Sequence, residues 1–314
     1  MSDSVRSRLP LARQELDRDY LSRARPLLFE ELWAEPVTRV LVLSAGKALL
    51  ASATPPRLAL LPVGLVPEAP LLLYLGRSVS ATSPEPIGTP IVAAVLADDA
   101  AAAVNPDPNA WGDLRSVGAA MSDRDAGLLT EALALANWHR SHRFSPRTGE
   151  PLLPELGGWV RRSAGDSAEV FPRTDAAIIV LVTDTEDRIL LGSNALWESS
   201  RYSLLAGFVE PGESLEGAVV REVFEESGIR VVDPVYVGSQ PWPFPASLML
   251  GFRARVDTEQ EWTQEPDGAE ILDLRWFSRD ELRHSGDEII LPGRTSIARA
   301  MIEDWLGGPI VDPS

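Results

Sequence analysis

The chain has 314 residues, with 29 Lys and Arg against 46 Asp and Glu for a formal charge of −17, and no cysteine. That balance argues against broad nonspecific affinity for nucleic acid, which needs cationic surface to displace counterions, and leaves open only a local basic groove. The missing thiols exclude disulfides, thiolate catalysis and cysteine-bound zinc; with His139, His142 and His284 the only imidazoles, any metal must be held mostly by carboxylates, which favours Mg²⁺ or Mn²⁺.

The leading segment, "MSDSVRSRLPLARQELDRDY", lacks the apolar core of a secretory signal. The most apolar region, "LALLPVGLVPEAPLLLYLG", is broken by Pro62, Pro67, Glu68 and Pro70. No membrane association and a cytoplasmic location are therefore expected. From about Val37 to Asp98, the runs "TRVLVLS", "KALLAS", "RLALLPV", "PLLLYLG" and "PIVAAVLA" alternate with Pro, Gly and Ser, the pattern of a small, mostly antiparallel β domain. A helix follows in "SDRDAGLLTEALALANWHRSHRF", with Ser122 as N-cap and Asp125 completing a weak capping box. Its apolar stripe is Leu128, Leu129, Ala132, Leu135 and Ala136.

The stretch from about Ser145 to Arg173 is rich in Gly, Pro, Ser and Arg and reads as a linker or small irregular module. Beyond it, "AAIIVLVTD", "RILLGS", "YSLLAGFV", "VYVGS", "SLMLGFRARV" and "ILDLRWFS" read as strands. The segments "SLEGAVVREVFEESG" and "TSIARAMIEDWL" read as helices closed by Gly228 and Gly307. Strands flank helices without a regular βαβ rhythm, so an α+β fold is expected. The domain limits that follow are 1–144, 145–173 and 174–314.

The first of those two helices carries the chemistry. Glu222, Glu225 and Glu226 stand at i, i+3 and i+4 and share a face, while Val220, Val223 and Phe224 point roughly the other way, toward a core. Like charges so placed repel, and a divalent cation is the natural compensation. A bare ExxEE is more often a solvated acidic face; the surrounding spacing changes that balance. A glycine-bounded turn, "GFVEPGE", leads into the helix, and Arg221 stands ready to pair with a carboxylate such as Glu213.

The segment resembles the Nudix box, G-x5-E-x7-R-E-U-x-E-E-x-G-U, at every fixed position: Gly207, Glu213, Arg221, Glu222, Val223, Glu225, Glu226, Gly228 and Ile229. The resemblance implies an αβα Nudix sandwich with a mixed sheet that hydrolyses a nucleoside diphosphate linked to another group. It implies Glu222, Glu225 and Glu226 as metal ligands, joined by the carbonyl of Ala206 and a late glutamate, Glu270, in "AEILDLRWF". Glu226 is then the ligand nearest the nucleophilic water, and Arg221 and Glu213 complete the catalytic set.

Downstream, "SQPWPFPAS" resembles the hallmark of the NADH pyrophosphatase and NAD-capped RNA hydrolase branch. Its three prolines exclude a helix or a central strand. By that resemblance Gln240, Pro241, Trp242, Pro243, Phe244, Pro245, Ala246 and Ser247 line the dinucleotide site, with Gln240 and Ser247 as direct contacts. Phe208 and Phe171 are stacking candidates, Ala298 belongs to the site, and Arg115 in "WGDLRSV" reaches the ligand. The bland reading of Arg115 is a surface ion pair. The substrates implied are NADH and NAD⁺, cut to nicotinamide mononucleotide and AMP, and NAD-capped RNA; a homodimer is implied as well. Alternatives are a Nudix specificity for ADP-ribose or dinucleoside polyphosphates, or a non-catalytic NAD-binding regulator. Relatives usually carry a four-cysteine zinc ribbon between their domains. Here Ser145 and Thr148 fall at the first pair of thiol positions, and the second pair falls within "RRSAGDSAEVFPRTD", so no structural zinc is expected.

Overall fold

A computed structural model describes residues 9–163, 165, 168–198 and 200–311. The first eight residues of the leading segment, and positions 164, 166 and 167 within the second thiol-pair segment, lie outside them. The chain divides into two compact units. One comprises Met1–Ala12, Asp175–Pro241 and Ser247–Ser314 and is called the C-terminal unit here; the other, the N-terminal unit, comprises Arg13–Thr174 and Trp242–Ala246.

In the C-terminal unit, Asp175–Thr183 is the hub of a six-stranded mixed sheet. It runs parallel to Ser247–Val256, from Asp175 opposite Ser247 to Thr183 opposite Arg255, and antiparallel to Ile189–Asn194 and Leu205–Phe208. Alternation along the hub decides the layers. Ile179 and Leu181 join Ile189, Leu191, Met301, Ile302 and Trp305 on one face, under the helix Ile297–Leu306. Ile178, Val180 and Val182 join Leu190, Ala218, Val219 and Val223 on the other, under the helix Leu215–Ser227. The result is the αβα sandwich the sequence led us to expect. Val231–Trp242 lies at the sheet edge, where Pro241 deprives the ladder of no needed donor.

The helix Leu215–Ser227, the box helix, starts at Ser214, whose hydroxyl accepts the amide of Gly217 at 3.0 Å. It ends at Gly228, which adopts φ 67° and leaves no room for a Cβ beside the carbonyl of Thr263. Its core contacts correct one expectation. Ala218, Val219 and Val223 are fully buried, whereas Val220 and Phe224 are 40% and 42% exposed. The three buried residues turn Glu226 inward with them. Burying Val219 and Val223 stabilises the helix on the sheet by roughly 1.5–3 kcal/mol each.

The N-terminal unit is built on an eight-stranded sheet, all antiparallel but for one parallel pair, Arg39–Ser44 with Pro90–Val95. Both faces are buried: Val40, Val42, Tyr74, Val92 and Ala94 share one, where they pack with Leu28, Leu32 and Leu49, and Leu41, Leu73 and Ala93 lie on the other. The helix Asp123–Ser141 is capped by Ser122, whose hydroxyl accepts the amide of Asp125. The expected capping box is not reciprocated, because the Asp125 carboxylate instead accepts the amide of Leu58 at 2.9 Å and pairs with Arg124. Nor is burial confined to a stripe; Arg124, Glu131 and His139 are buried too.

Beyond this helix, Leu153–Glu155, Val160–Arg162 and Glu169–Val170 form a three-stranded antiparallel ribbon. Its leading turn is closed by hydrogen bonds: Ser145 Oγ accepts the amides of Arg147 and Thr148, and the Ser145 carbonyl accepts that of Gly149. His139 ties the ribbon to the helix. Its Nδ1 accepts Nη1 of Arg161 at 2.6 Å, so Nε2 carries the proton and donates to the Gly158 carbonyl at 2.8 Å. Burial, with Arg161 alongside, pushes its pKa down to about 4 and keeps the ring neutral.

Candidate active site

The box residues assemble around two anchors in the C-terminal unit, Arg221 and Gly207. Arg221 grips Glu213 with two bonds, Nη2 to Oε1 at 2.5 Å and Nε to Oε2 at 3.0 Å. Its Nη2 also donates to the Phe208 carbonyl, and Nη1 reaches Glu222 and Glu225 at 2.9 Å each. One planar guanidinium thus fastens the glycine-bounded turn to the helix and holds two of the three box carboxylates. Glu213 reinforces the turn by accepting the amide of Glu210 at 2.7 Å.

Gly207 lies in the strand Leu205–Phe208, opposite Ile178. A Cβ on it would fall under 3.0 Å from Cδ, Oε1 and Oε2 of Glu222. The glycine is the space in which that carboxylate sits.

Glu226 differs from its neighbours. It is buried, and among the described residues its Oε2 has no hydrogen-bond partner. Burial first, then the nearby charges of Glu222, Glu270 and Asp267, push its pKa up to about 8. Glu222 is raised as well, by burial and by Glu225 and Glu270 against the opposing pull of Arg221. Glu270 precedes the strand Ile271–Phe277 on a loop shaped by Asp267, whose Oδ1 accepts the amides of Ala269, Glu270 and Ile271. Asn194 steadies Glu270 by donating to its Oε1 at 3.3 Å. Asp273 is engaged elsewhere, accepting the hydroxyl of Tyr202.

Glu222, Glu226, Glu270 and Asp267 therefore share one electrostatic neighbourhood with an orphaned buried oxygen in it. Among the described residues no three acidic or imidazole side chains already converge as a metal group, and Glu222 and Glu225 are turned to Arg221. The donors are all oxygen, and an unpartnered carboxylate oxygen faces like charges. The residues present fit a hard divalent cation.

The expected dinucleotide contacts divide between the units. Gln240 is fully buried in the C-terminal unit, where its Oε1 accepts the amide of Leu11 and its Nε2 donates to the Thr295 carbonyl at 3.0 Å. Its amide is a tie within the unit. Ala298, in the helix Ile297–Leu306, is buried in the core, whereas Phe208 is 59% exposed; Pro241 and Ser247 are half-buried.

Trp242–Ala246 belongs to the N-terminal unit. The Trp242 and Phe244 rings meet edge to face at 4.9 Å, and the Arg115 guanidinium lies 4.1 Å from the Phe244 ring centre and 5.2 Å from that of Trp242. Pro243 is buried, Pro245 exposed and Ala246 half-buried. Phe171, in the same unit, is 60% exposed. Asn137 was not anticipated from the sequence. Its Nδ2 donates to the Pro243 carbonyl at 2.8 Å and more weakly to that of Pro245 at 3.4 Å, while its Oδ1 accepts Nη2 of Arg140. It lies 106 residues from Pro243, and no local pattern marks it.

Comparison with known proteins agrees with this organisation. Residues 172–294 match the NUDIX domain, and residues 37–138 match the NADH pyrophosphatase-like rudimentary NUDIX domain. A Mycobacterium bovis protein named NAD-capped RNA hydrolase NudC is 47% identical over 203 residues, 62% of this chain and 64% of that protein. A Salmonella paratyphi B protein of the same name is 40% identical over 185 residues, 58% of this chain and 68% of that one. The chain thus spans just under two thirds of the length of the mycobacterial relative. A crystal structure of a NUDIX hydrolase from Nitrosomonas europaea aligns at 22% identity with a TM-score of 0.41, covering 55% of this chain and 97% of that one. Among the described residues no helix is long and apolar enough to cross a membrane.

Proposed function

Because the chain belongs to the Nudix family, with an NADH pyrophosphatase-like rudimentary Nudix domain ahead of the complete one, we propose that it hydrolyses the pyrophosphate bond of NAD(H). The products are nicotinamide mononucleotide and AMP, and the same cut removes NAD caps from RNA. The observation that carries the chemistry is the buried, unpartnered Oε2 of Glu226 among Glu222, Glu270 and Asp267. The names of the relatives and the Trp-Pro-Phe-Pro segment support the choice of dinucleotide. Cytoplasmic residence and a homodimer belong to the same reading and rest on the resemblance alone.

Glu222, Glu225, Glu226 and Glu270, with the Ala206 carbonyl, would hold Mg²⁺ or Mn²⁺. When bound, such an ion neutralises pyrophosphate charge and acidifies water. Arg221 orients Glu222 and Glu225 while Glu213 fixes Arg221. Burial and its acidic neighbours leave Glu226 largely protonated until a cation offsets them. Once ionised, it would take a proton from the attacking water as the water oxygen bonds to phosphorus and the bridging P–O bond breaks. The stiff proline segment carrying Trp242 and Phe244 presents aromatic surface to a flat base at little ordering cost.

The test is product analysis with NADH, NAD⁺, ADP-ribose and NAD-capped RNA, with Mg²⁺ or Mn²⁺ supplied. Preferred cleavage of the dinucleotide or the capped RNA is expected; cleavage of neither refutes the reading. Glu226→Gln should abolish turnover while dinucleotide binding stays measurable, and surviving turnover would remove Glu226 from its role.

A further inference from the structure

The strand Ile189–Asn194 pairs with Ile271–Phe277 in unbroken register from Ile189 opposite Phe277 to Ser193 opposite Asp273, and there the register slips. Asn194 stands opposite Ile271, and Leu272, 56% exposed, is passed over as the extra residue of a bulge. In a regular ladder Asn194 would have stood opposite Leu272. The slip brings the end of its strand one residue nearer Glu270, and two consecutive residues use it. The Ala195 amide donates to the Glu270 carbonyl at 2.8 Å, and Asn194 Nδ2 donates to Glu270 Oε1 at 3.3 Å. Asn194 is itself fixed by the turn beyond it. Its Oδ1 accepts the amide of Leu196 at 2.9 Å and its carbonyl accepts that of Trp197 at 3.0 Å.

The kind of donor matters as much as its place. Glu222 and Glu225 are paired with Arg221, so a cation must compete with a guanidinium for both. Glu270 makes no ion pair among the described residues. A carboxamide fixes one oxygen of the carboxylate, and with it the orientation of the group, without cancelling the charge. Among the described residues Glu270 Oε2 receives no hydrogen bond and stays open. The charge so preserved is felt at Glu226 and at Glu222. Glu270 is therefore oriented by neutral donors alone, in the neighbourhood where Glu226 has its own unpartnered oxygen.

We propose that Asn194 is a positioning residue for Glu270. The bulge and the side-chain amide together set the late glutamate so that its full charge and its second oxygen are offered to the divalent cation that the site fits. The proposal rests on the functional reading above and gives a role in it to a residue outside both the box and the proline segment.

The test follows Mn²⁺ binding to the full chain, without substrate, by loss of the free-ion electron paramagnetic resonance signal. Asn194→Asp keeps the acceptor for the Leu196 amide but replaces the donor to Glu270 by a repelling carboxylate; Asn194→Ala removes both. Mn²⁺ affinity should fall about tenfold or more in each variant. On a Glu270→Ala background, Asn194→Ala should cost nothing further, because it acts only through Glu270. In NADH hydrolysis the Mn²⁺ concentration for half-maximal rate should rise by a similar factor, while KM for NADH at saturating Mn²⁺ stays near wild type. Unchanged Mn²⁺ affinity in both variants overturns the proposal, and so does a wild type that binds no Mn²⁺. Weakening in Asn194→Ala alone, or an undiminished loss on the Glu270→Ala background, would assign the effect to the turn and overturn it too. Tighter binding by Asn194→Asp would overturn it by making position 194 a ligand. If Mn²⁺ binding behaves as expected but no dinucleotide is cleaved, the positioning role stands and the hydrolase reading falls.

Discussion

Gly207→Ala separates the fold from the site with a single methyl group. The backbone at Gly207 is extended and alanine adopts it without strain, so the sheet should tolerate the change. The new Cβ, however, falls under 3.0 Å from all three carboxyl atoms of Glu222. Ordinary carbon contacts need about 3.5–4.0 Å, so the carboxylate must retreat by on the order of 1 Å. It is the far end of a flexible side chain and moves cheaply, which is why stability should hold. A displacement of about that size at a catalytic group costs roughly a hundredfold in rate. The expected result is a melting temperature close to wild type, kcat for NADH lower by about two orders of magnitude, and weaker Mn²⁺ binding by calorimetry. Full activity with unchanged Mn²⁺ affinity would refute the placement of Glu222, and a collapse in stability would refute the claim that only the carboxylate must move.

Asn137→Asp keeps the Arg140 partner but turns the donor facing Pro243 and Pro245 into an acceptor. KM for NADH should rise on the order of tenfold with kcat little changed, and an unmoved KM would show that the segment needs no such support. Glu131 is buried, and burial, opposed only in part by Arg18 and Arg23, lifts its pKa from 4.5 to about 7. The folded chain therefore holds a proton that the unfolded chain releases. The associated stability is complete below about pH 4.5 and is lost as pH rises through about 7, a difference on the order of 3 kcal/mol. Glu131→Gln cannot ionise and should flatten that dependence in denaturant titrations at about pH 5 and pH 8; parallel curves for the two proteins would sink the assignment. Ser145→Ala leaves the amides of Arg147 and Thr148 without their acceptor, costing about 1–2 kcal/mol locally. Faster hydrogen exchange at those amides, with no stoichiometric zinc in the untagged wild type, is the expected outcome.

The box was legible because its chemistry is local: Glu222, Glu225 and Glu226 share a face by helical spacing alone. Which of them would be buried was not, since that depends on Ala218, Val219 and Val223 meeting the sheet while Val220 and Phe224 stay half exposed. The N-cap at Ser122 was equally readable, but the carboxylate of Asp125 is claimed by the amide of Leu58, 67 residues away. Spacing carries no record of such a competitor. The prolines argued against a helix or a central strand, and the strand that runs into them, Val231–Trp242, lies at the sheet edge. Its support by Asn137 and Arg115, and the capture of the Gln240 amide by Leu11 and Thr295, arise from folding remote chain together.

The division of the chain into units also has a consequence for the order in which the protein is made. Each unit takes in a short piece that lies apart from the rest of its own sequence: Trp242–Ala246 completes the N-terminal unit, and Leu9 and Leu11 serve the C-terminal one. Domains usually fold as they leave the ribosome, amino end first. Here the aromatic pair facing Arg115 is synthesised only after the whole box, so the first unit must wait until about half of the second is translated. No single cut releases either unit whole. A fragment ending before Trp242 would lack the rings that Arg115 covers and the carbonyls that Asn137 holds.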